Sequence, residues 1–363
     1  VTAPRASAPA HPVTDVRTAP GPAAPRGGTV LVARMDNVGD VLLAGPAVRA
    51  AAAGADRTVL LAGPRGAAAA RLLPGVDRVL EWRAPWIDPE PGPVRAADVD
   101  ALTAAVRAEA PDAALILTSF HQSPLPLALL LRLAGVPWIG AISDDYPGSL
   151  LDLRHRAPSG PPEAERMLGL AQAAGYRLPP GDDGRLAVRR PLPDATGLTG
   201  GPGYVVVHPG ATAPARAVPP DLAAATVDRL TGDGCRVVVT GAPADRDLTA
   251  RVAGTRAADL AGRTRLPELA AVLAGAAAVV TGNTGPGHLA AAVGAPVVSL
   301  FSPVVPASAW APYGTRLRLL GDQGAPCRGT RARTCPVPGH PCLTSLSADD
   351  VAGAVHDLIA EGT

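Results

Sequence analysis

The chain has 363 residues, enough for two domains of ordinary size that each bury a core. Its 33 basic and 32 acidic residues leave a formal charge of +1, which gives no electrostatic footing for nucleic acid or for an acidic membrane surface. Every basic residue is an arginine, as in proteins of GC-rich genomes, so arginine is expected where other proteins place lysine.

Residues 1–28, VTAPRASAPAHPVTDVRTAPGPAAPRGG, are rich in Pro and Ala and have no continuous apolar stretch. They read as a disordered leader rather than a signal peptide. From residue 29, apolar strand-like runs alternate with alanine-rich helical segments: TVLVARM before VLLAGPAVRAAAAG, TVLLAG before RGAAAARLL, then RVLEW, and AALILT before LPLALLLRLAG. Strands apolar at nearly every position and separated by helices indicate a parallel sheet covered on both faces. The longest apolar segment, which starts at Leu125, is interrupted by Arg132 and Pro137 and falls short of the ~20 residues of a membrane span. A cytoplasmic protein is expected.

Between residues 178 and 203 the pattern fails in a stretch dense in Pro and Gly, as in an interdomain linker. It restarts with YVVVHPG, RVVVTG, AAVVTG and APVVSLFS. The last helix opens at SADD, where Ser347 and Asp350 fit a capping box. The expected organisation is a leader over 1–28, a doubly wound α/β domain over 29–190, a linker over 191–203 and a second Rossmann-like domain over 204–363. Two such domains face each other across a cleft at the C-terminal ends of their strands, where ligands bind in open α/β folds.

The conspicuous polar turns all fall there. TGNTGPGH ends a strand and opens a helix with Asn283, Thr284, Gly285, Pro286, Gly287 and His288. Small residues and free N–H groups at a helix start favour a diphosphate, whereas a tight turn needed only for packing is the alternative, and His288 is as readily a packing residue as a ligand contact. HPGATAPAR carries Thr212 and Arg216, whose planar donors suit phosphate oxygens, and TGAPADRD offers Asp245 for ribose hydroxyls. In the first domain, RMDNVGD places Asp40 at a helix start. Two roles stand open for it: a base that deprotonates an attacking hydroxyl, or a helix cap. Arg34, Asp36, Asn37 and Gly39 are then the acceptor-side groups around it.

Cys235 heads a strand and reads as a small buried hydrophobe. Cys327, Cys335 and Cys342 lie with His340 in CRGTRARTCPVPGHPC. These are zinc-ligand types, but the spacing lacks a tight C-x-x-C hairpin, so reduced thiols in a loop are the favoured reading. Trp82 and Trp86 read as core anchors or exposed loop residues before they read as a sugar platform.

Taken together, RMDNVGDVLLAGPAVRA, HPGATAPARAVPP and LAGRTRLPELAAVLAGAAAVVTGNTGPGHLAAAVGAPVVSLF resemble glycosyltransferase family 9, the heptosyltransferase-like enzymes of GT-B fold, in order and over residues 29–360. The resemblance implies that Asp40 is the catalytic base and that Arg216 stands where the family commonly has a lysine on the donor phosphates. It also implies that Asn283 replaces an aspartate found in many members. The implied reaction is inverting transfer of a sugar, typically from ADP-heptose, to a hydroxyl acceptor, with no metal or other cofactor required. A secondary metabolite, an envelope glycan and a glycolipid are the acceptor classes considered, the last bringing at most peripheral membrane contact. A nucleotide-sugar epimerase or hydrolase of the same architecture, and a non-catalytic nucleotide-sugar-binding protein, are the competing readings. A dehydrogenase is disfavoured, because DNVGD replaces the G-x-G-x-x-G turn and no acidic residue ends TVLLAG.

Overall fold

The computed structural model describes residues 22–119, 121–158 and 160–362. In the first unit, β1 (Thr29–Arg34), β2 (Arg57–Ala62), β3 (Arg78–Glu81), β4 (Ala113–Ile116), β5 (Trp138–Ile142) and β6 (Leu153–His155) form one sheet in the order β3-β2-β1-β4-β5-β6. In the second, β7 (Tyr204–His208), β8 (Val237–Val239), β9 (Ala258–Asp259), β10 (Ala276–Gly282), β11 (Val297–Leu300) and β12 (Leu317–Leu320) follow the order β12-β11-β10-β7-β8-β9. All strand pairs are parallel. The central strands are buried on both faces, as their unbroken apolar runs require.

Both sheets reverse strand order in the middle, between β1 and β4 in the first and between β7 and β10 in the second. Loops leaving adjacent strands at such a point diverge to opposite faces of the sheet and open a crevice. The turns after β1, β4, β7 and β10 are the ones that carry DNVGD, TSFHQ, HPGATAPAR and GNTGPGH. The fold thus places RMDNVGD, HPGATAPAR and TGNTGPGH at switch points, while TGAPADRD and the cysteine-bearing segment lie elsewhere.

The two units share one apolar core that runs from Val30, Leu42 and Val48 through to Leu273, Leu289 and Ala292. At its upper edge the helices Val38–Leu43 and Gly285–Val293 approach so closely that a Cβ at Gly39 would lie 2.7 Å from His288 Cδ2. Only glycine allows that approach.

Residues 22–28, expected within the disordered leader, are folded onto the first unit. Ala24 N donates to Ala174 O at 2.9 Å, Trp138 Nε1 to Pro22 O at 3.1 Å and the buried Tyr176 hydroxyl to Pro25 O at 3.1 Å. The indole and phenol are buried and must spend their donors on something, and this segment's carbonyls accept them. Residues 1–21 lie outside the described residues. Among the described residues no helix is long and apolar enough to cross a membrane. The capping box is present: Asp350 N donates to Ser347 Oγ at 3.1 Å and Ser347 N to Asp350 Oδ2 at 2.9 Å.

Candidate active site

The two switch points enclose a cleft of about 300 Å³, the lower end of the range for small-molecule sites. Its first-domain wall is built on Arg34, the last residue of β1 and fully buried. A buried guanidinium must be paired on every side. Arg34 Nε lies 3.1 Å from Asp36 Oδ2, Nη2 donates to Asp40 Oδ1 at 3.1 Å and to Ser119 Oγ at 2.8 Å, and Nη1 reaches Leu117 O at 3.3 Å. Gln122 Nε2 closes the cluster on Asp36 Oδ1 at 2.5 Å. Burial opposes the Arg34 charge, but Asp36 and Asp40 outweigh it and its pKa is raised. Burial raises that of Asp36 as well, with the like charge of Asp40 adding to the shift against the pull of Arg34.

The structure shows Asp40 as part of a helix cap and leaves acceptor capacity on its carboxylate toward the cleft. Its Oδ2 accepts Asn37 N–H at 3.2 Å, the reciprocal half of a helix cap, while Oδ1 is held by Arg34. The side chain is still 17% exposed and faces the cleft. Two carboxylate oxygens offer about four acceptor sites, so these two hydrogen bonds leave lone pairs for a third partner. Arg34 itself, placed above among the acceptor-side groups, is too deep to touch an acceptor: it is the clamp under Asp40. Asp36, Asn37 and Gly39 do line the cleft.

The opposite wall comes from the second unit. Thr212, Arg216, Asn283, Thr284, Gly285 and His288 line it. Thr284, in extended conformation, is the N-cap position of the helix Gly285–Val293. Pro286 has no N–H and Gly287 N donates to Thr284 O at 3.1 Å, so of the first three helical positions Gly285 is the one with an N–H left for a ligand. Asn283 and His288 are each only 6% exposed, yet Asn283 Nδ2 and His288 Nδ1 have no hydrogen-bond partner among the described residues, and neither has Arg216 Nε. Buried polar atoms are almost always paired. With Trp310 Nε1, also unpaired, four such atoms belong to residues on this wall of the cleft and leave hydrogen-bonding capacity there for a polar ligand. Burial, with the Arg333 charge adding and Asp40 opposing, lowers the Arg216 pKa, although a guanidinium stays charged.

Pro286 and Gly287 belong to this turn without lining the cleft, Gly287 instead packing against Thr281 and Pro312. Asp245, expected on a ribose, is not at the cleft. Its Oδ2 accepts Ala242 N–H at 2.9 Å, capping its own turn Pro243–Asp245, and its carboxylate packs against Gly210. Trp82 and Trp86 pack against each other at 5.5 Å as core anchors, Trp82 Nε1 donating to Asp98 O. Cys327 and Cys342 are buried in the second core, and burial pushes the Cys342 thiol up to about 11. Among the described residues no group of three or more His, Cys, Asp or Glu side chains is arranged to hold a metal.

Sequence reasoning missed several lining residues. His121, Gln122 and Ser119 follow β4, and Arg65 follows β2. Arg331 and Arg333 come from the cysteine-bearing segment, which was weighed only for metal. The strand order was the signal needed: once β4 is known to adjoin β1, TSFHQ must face DNVGD.

His208 and His288 are both held neutral by burial, with pKa lowered to about 4. Free imidazole titrates near 6.5, so between those values the unfolded chain binds protons that the folded chain refuses. Stability is therefore full above about pH 7 and lost as pH falls through 6.5 toward 4. The expected result is a melting temperature that drops over this interval and a smaller drop in His208→Asn, read by thermal unfolding against pH. A flat wild-type profile from pH 7 to 4.5 would contradict the burial argument.

Comparison with known proteins now adds to this geometry. Residues 99–340 match the family described as glycosyltransferase family 9 (heptosyltransferase). Lipopolysaccharide heptosyltransferase 1 of Pseudomonas aeruginosa is 37% identical over 177 residues, 48% of this chain and 48% of that protein. Lipopolysaccharide heptosyltransferase 3 of Escherichia coli is 38% identical over 104 residues, 27% of this chain and 30% of that protein. The chain thus aligns with half or less of the length of these curated relatives. The structure of E. coli ADP-heptose lps heptosyltransferase II superposes with a TM-score of 0.73 at 19% identity, over 92% of this chain and 99% of that one. That is agreement of fold: two Rossmann-like domains around a cleft, the GT-B arrangement. The chain belongs to glycosyltransferase family 9, the heptosyltransferases.

Proposed function

We propose that the chain is an inverting glycosyltransferase that moves a heptose from ADP-heptose to a hydroxyl of a glycan, glycolipid or secondary-metabolite acceptor. The observation that carries this reading is Asp40: a partly exposed carboxylate, fixed by a buried guanidinium on the first-domain wall, across the cleft from four unpaired polar atoms and a helix N-terminus. ADP-heptose is the donor proposed because the chain shares its fold with the E. coli ADP-heptose lps heptosyltransferase II.

In this mechanism the diphosphate lies on Arg216 and at the start of the helix Gly285–Val293, where the Gly285 N–H and the helix dipole favour anions. Neutral His288 and Asn283 offer hydrogen bonds to the donor without competing for its charge. The acceptor oxygen attacks the anomeric carbon as its proton passes to Asp40. The bond from that carbon to the phosphate oxygen breaks on the opposite face, which inverts the anomeric centre. Charge grows on the leaving diphosphate, where Arg216 stabilises it.

The test is product analysis with ADP-heptose, with and without acceptor alcohols. A glycoside of inverted configuration formed only when acceptor is present is the expected result. Donor consumption at the same rate without acceptor would instead point to a hydrolase, and an isomerised nucleotide sugar to an epimerase.

A further inference from the structure

The segment between Cys327 and Cys335 is absent from the reaction described so far, yet it enters the cleft. Its backbone is fastened at several points to the second unit. Gly329 N donates to Pro303 O at 2.9 Å, Arg331 N to Val304 O at 2.8 Å, and Ala215 N, within the turn that carries Arg216, to Arg333 O at 2.9 Å. Thr330 Oγ1 folds back onto Cys327 O at 2.7 Å. Residues 328–333 are thus an arm tied to the phosphate-side loop at one end and to the turn after β11 at the other.

The arm delivers Arg331 and Arg333 to the cleft lining. Arg333 is close enough to Arg216 for its charge to bear on that guanidinium, and Arg331 is close enough to bear on His121 of the first unit across the cleft. Arg216, Arg331 and Arg333 together place three guanidinium groups around one cleft, and their planar donors suit the oxygens of a polyanion. Arg331 also sits in the left-handed region at φ +57°, a conformation that disfavours every residue but glycine and that persists where surroundings impose it, often at functional sites. A glycine would relieve that backbone, so the position keeps a side chain at a cost. The unpartnered Asn283 Nδ2 and His288 Nδ1, each more than nine-tenths buried, aim a polar ligand into the same space.

We infer that the arm is part of the donor site, and that Arg331 and Arg333 join Arg216 in gripping the diphosphate as it departs. The inference rests on the nucleotide-sugar reading above. As the acceptor oxygen bonds to the anomeric carbon and gives its proton to Asp40, the electron pair of the broken bond goes to the distal phosphate oxygen of the nucleoside diphosphate. The leaving group gains one negative charge at that instant, and guanidinium groups in a cleft stabilise it more than they stabilise the bound donor. The arm is therefore a second set of phosphate ligands supplied by a different part of the chain from the turn that holds Arg216.

The test uses the full chain and calorimetry with two probes, ADP and inorganic pyrophosphate, on Arg331→Gly, Arg333→Gln and Arg328→Gln. Arg328 is exposed, on the same arm but outside this cleft. Wild type and Arg328→Gln are expected to bind both probes alike, and each of the other two to lose about 10- to 100-fold, the usual worth of a hydrogen bond to a charged group. Arg331→Gly is the decisive variant because glycine suits φ +57° and leaves the backbone unstrained; melting temperature measured beside affinity separates ligand binding from folding. Unchanged affinity in both cleft variants would overturn the inference and leave the nucleotide-sugar reading standing. Pyrophosphate binding that is lost in the variants, in a protein with no added affinity for ADP, would support the inference and overturn the adenine nucleotide instead. Wild type that binds neither probe overturns both.

Discussion

Asp40→Asn is expected to lower the transfer rate by on the order of 10²- to 10⁴-fold, the range for loss of a general base, while calorimetric affinity for ADP stays close to wild type. The choice of asparagine matters, because Asp40 does two things at once. Its Oδ2 accepts the Asn37 N–H and its Oδ1 accepts from Arg34. An amide oxygen can still receive one of those hydrogen bonds, so the helix start survives, but an amide cannot take a proton from a hydroxyl. Asp40→Ala removes both functions and should cost in addition about 1 kcal/mol of stability as a lost cap. Comparing the two variants separates the roles: a cap alone would leave Asp40→Asn active. Turnover by Asp40→Asn at the wild-type rate would end the assignment of Asp40 as base.

How far the sequence carries this picture is visible strand by strand. The alternation of apolar runs and alanine-rich helices predicts two doubly wound sheets, and the strands it predicts best are the central ones, β1, β2, β4, β7, β10 and β11, whose burial on both faces leaves an unbroken apolar run. Four strands are illegible for physical reasons. β5 hides inside the apolar segment that begins at Leu125, where helix and strand cannot be told apart by periodicity. β6 and β12 lie at sheet edges and carry half-exposed residues, and β9 is two residues long. The site divides along the same line. DNVGD, HPGATAPAR and GNTGPGH are legible because each is a turn between a recognisable strand and a helix. His121, Gln122 and the arm with Arg331 and Arg333 are not, since their place at the cleft depends on which strands adjoin and on a loop folding back from far along the chain. Asp245 differs from Asp40: both carboxylates accept a backbone N–H of their own turn, but Asp245 lies outside the lining of the cleft.

Arg34→Met should be the most destabilising single change at the site, by roughly 3–5 kcal/mol, the cost of removing one partner from a buried ion pair. Methionine keeps much of the length of the arginine stem, so the loss arises from charge rather than from a cavity. What remains is two carboxylates, Asp36 and Asp40, close together at the base of the cleft with their shared cation gone. Asp36, already raised by burial and by the charge of Asp40 against the pull of Arg34, would then hold its proton to higher pH than it does in the unfolded chain. The sign follows: a carboxyl whose folded pKa lies above its unfolded value gives stability that is intact below the unfolded pKa near 4 and lost as pH rises through the folded pKa. Arg34→Met should accordingly be less destabilised at pH 5 than at pH 8, when each is compared with wild type at the same pH by denaturant unfolding. Asp36→Asn in the same chain removes one of the stranded charges and should restore part of the stability, a coupling of about 0.5–3 kcal/mol in a double-mutant cycle. The activity of whatever folds supplies the link to function. Without the guanidinium that holds its Oδ1, Asp40 is no longer fixed toward the cleft, so the transfer rate per folded molecule of Arg34→Met should fall as well. A wild-type rate per folded molecule would mean that Arg34 supports the fold without positioning the base.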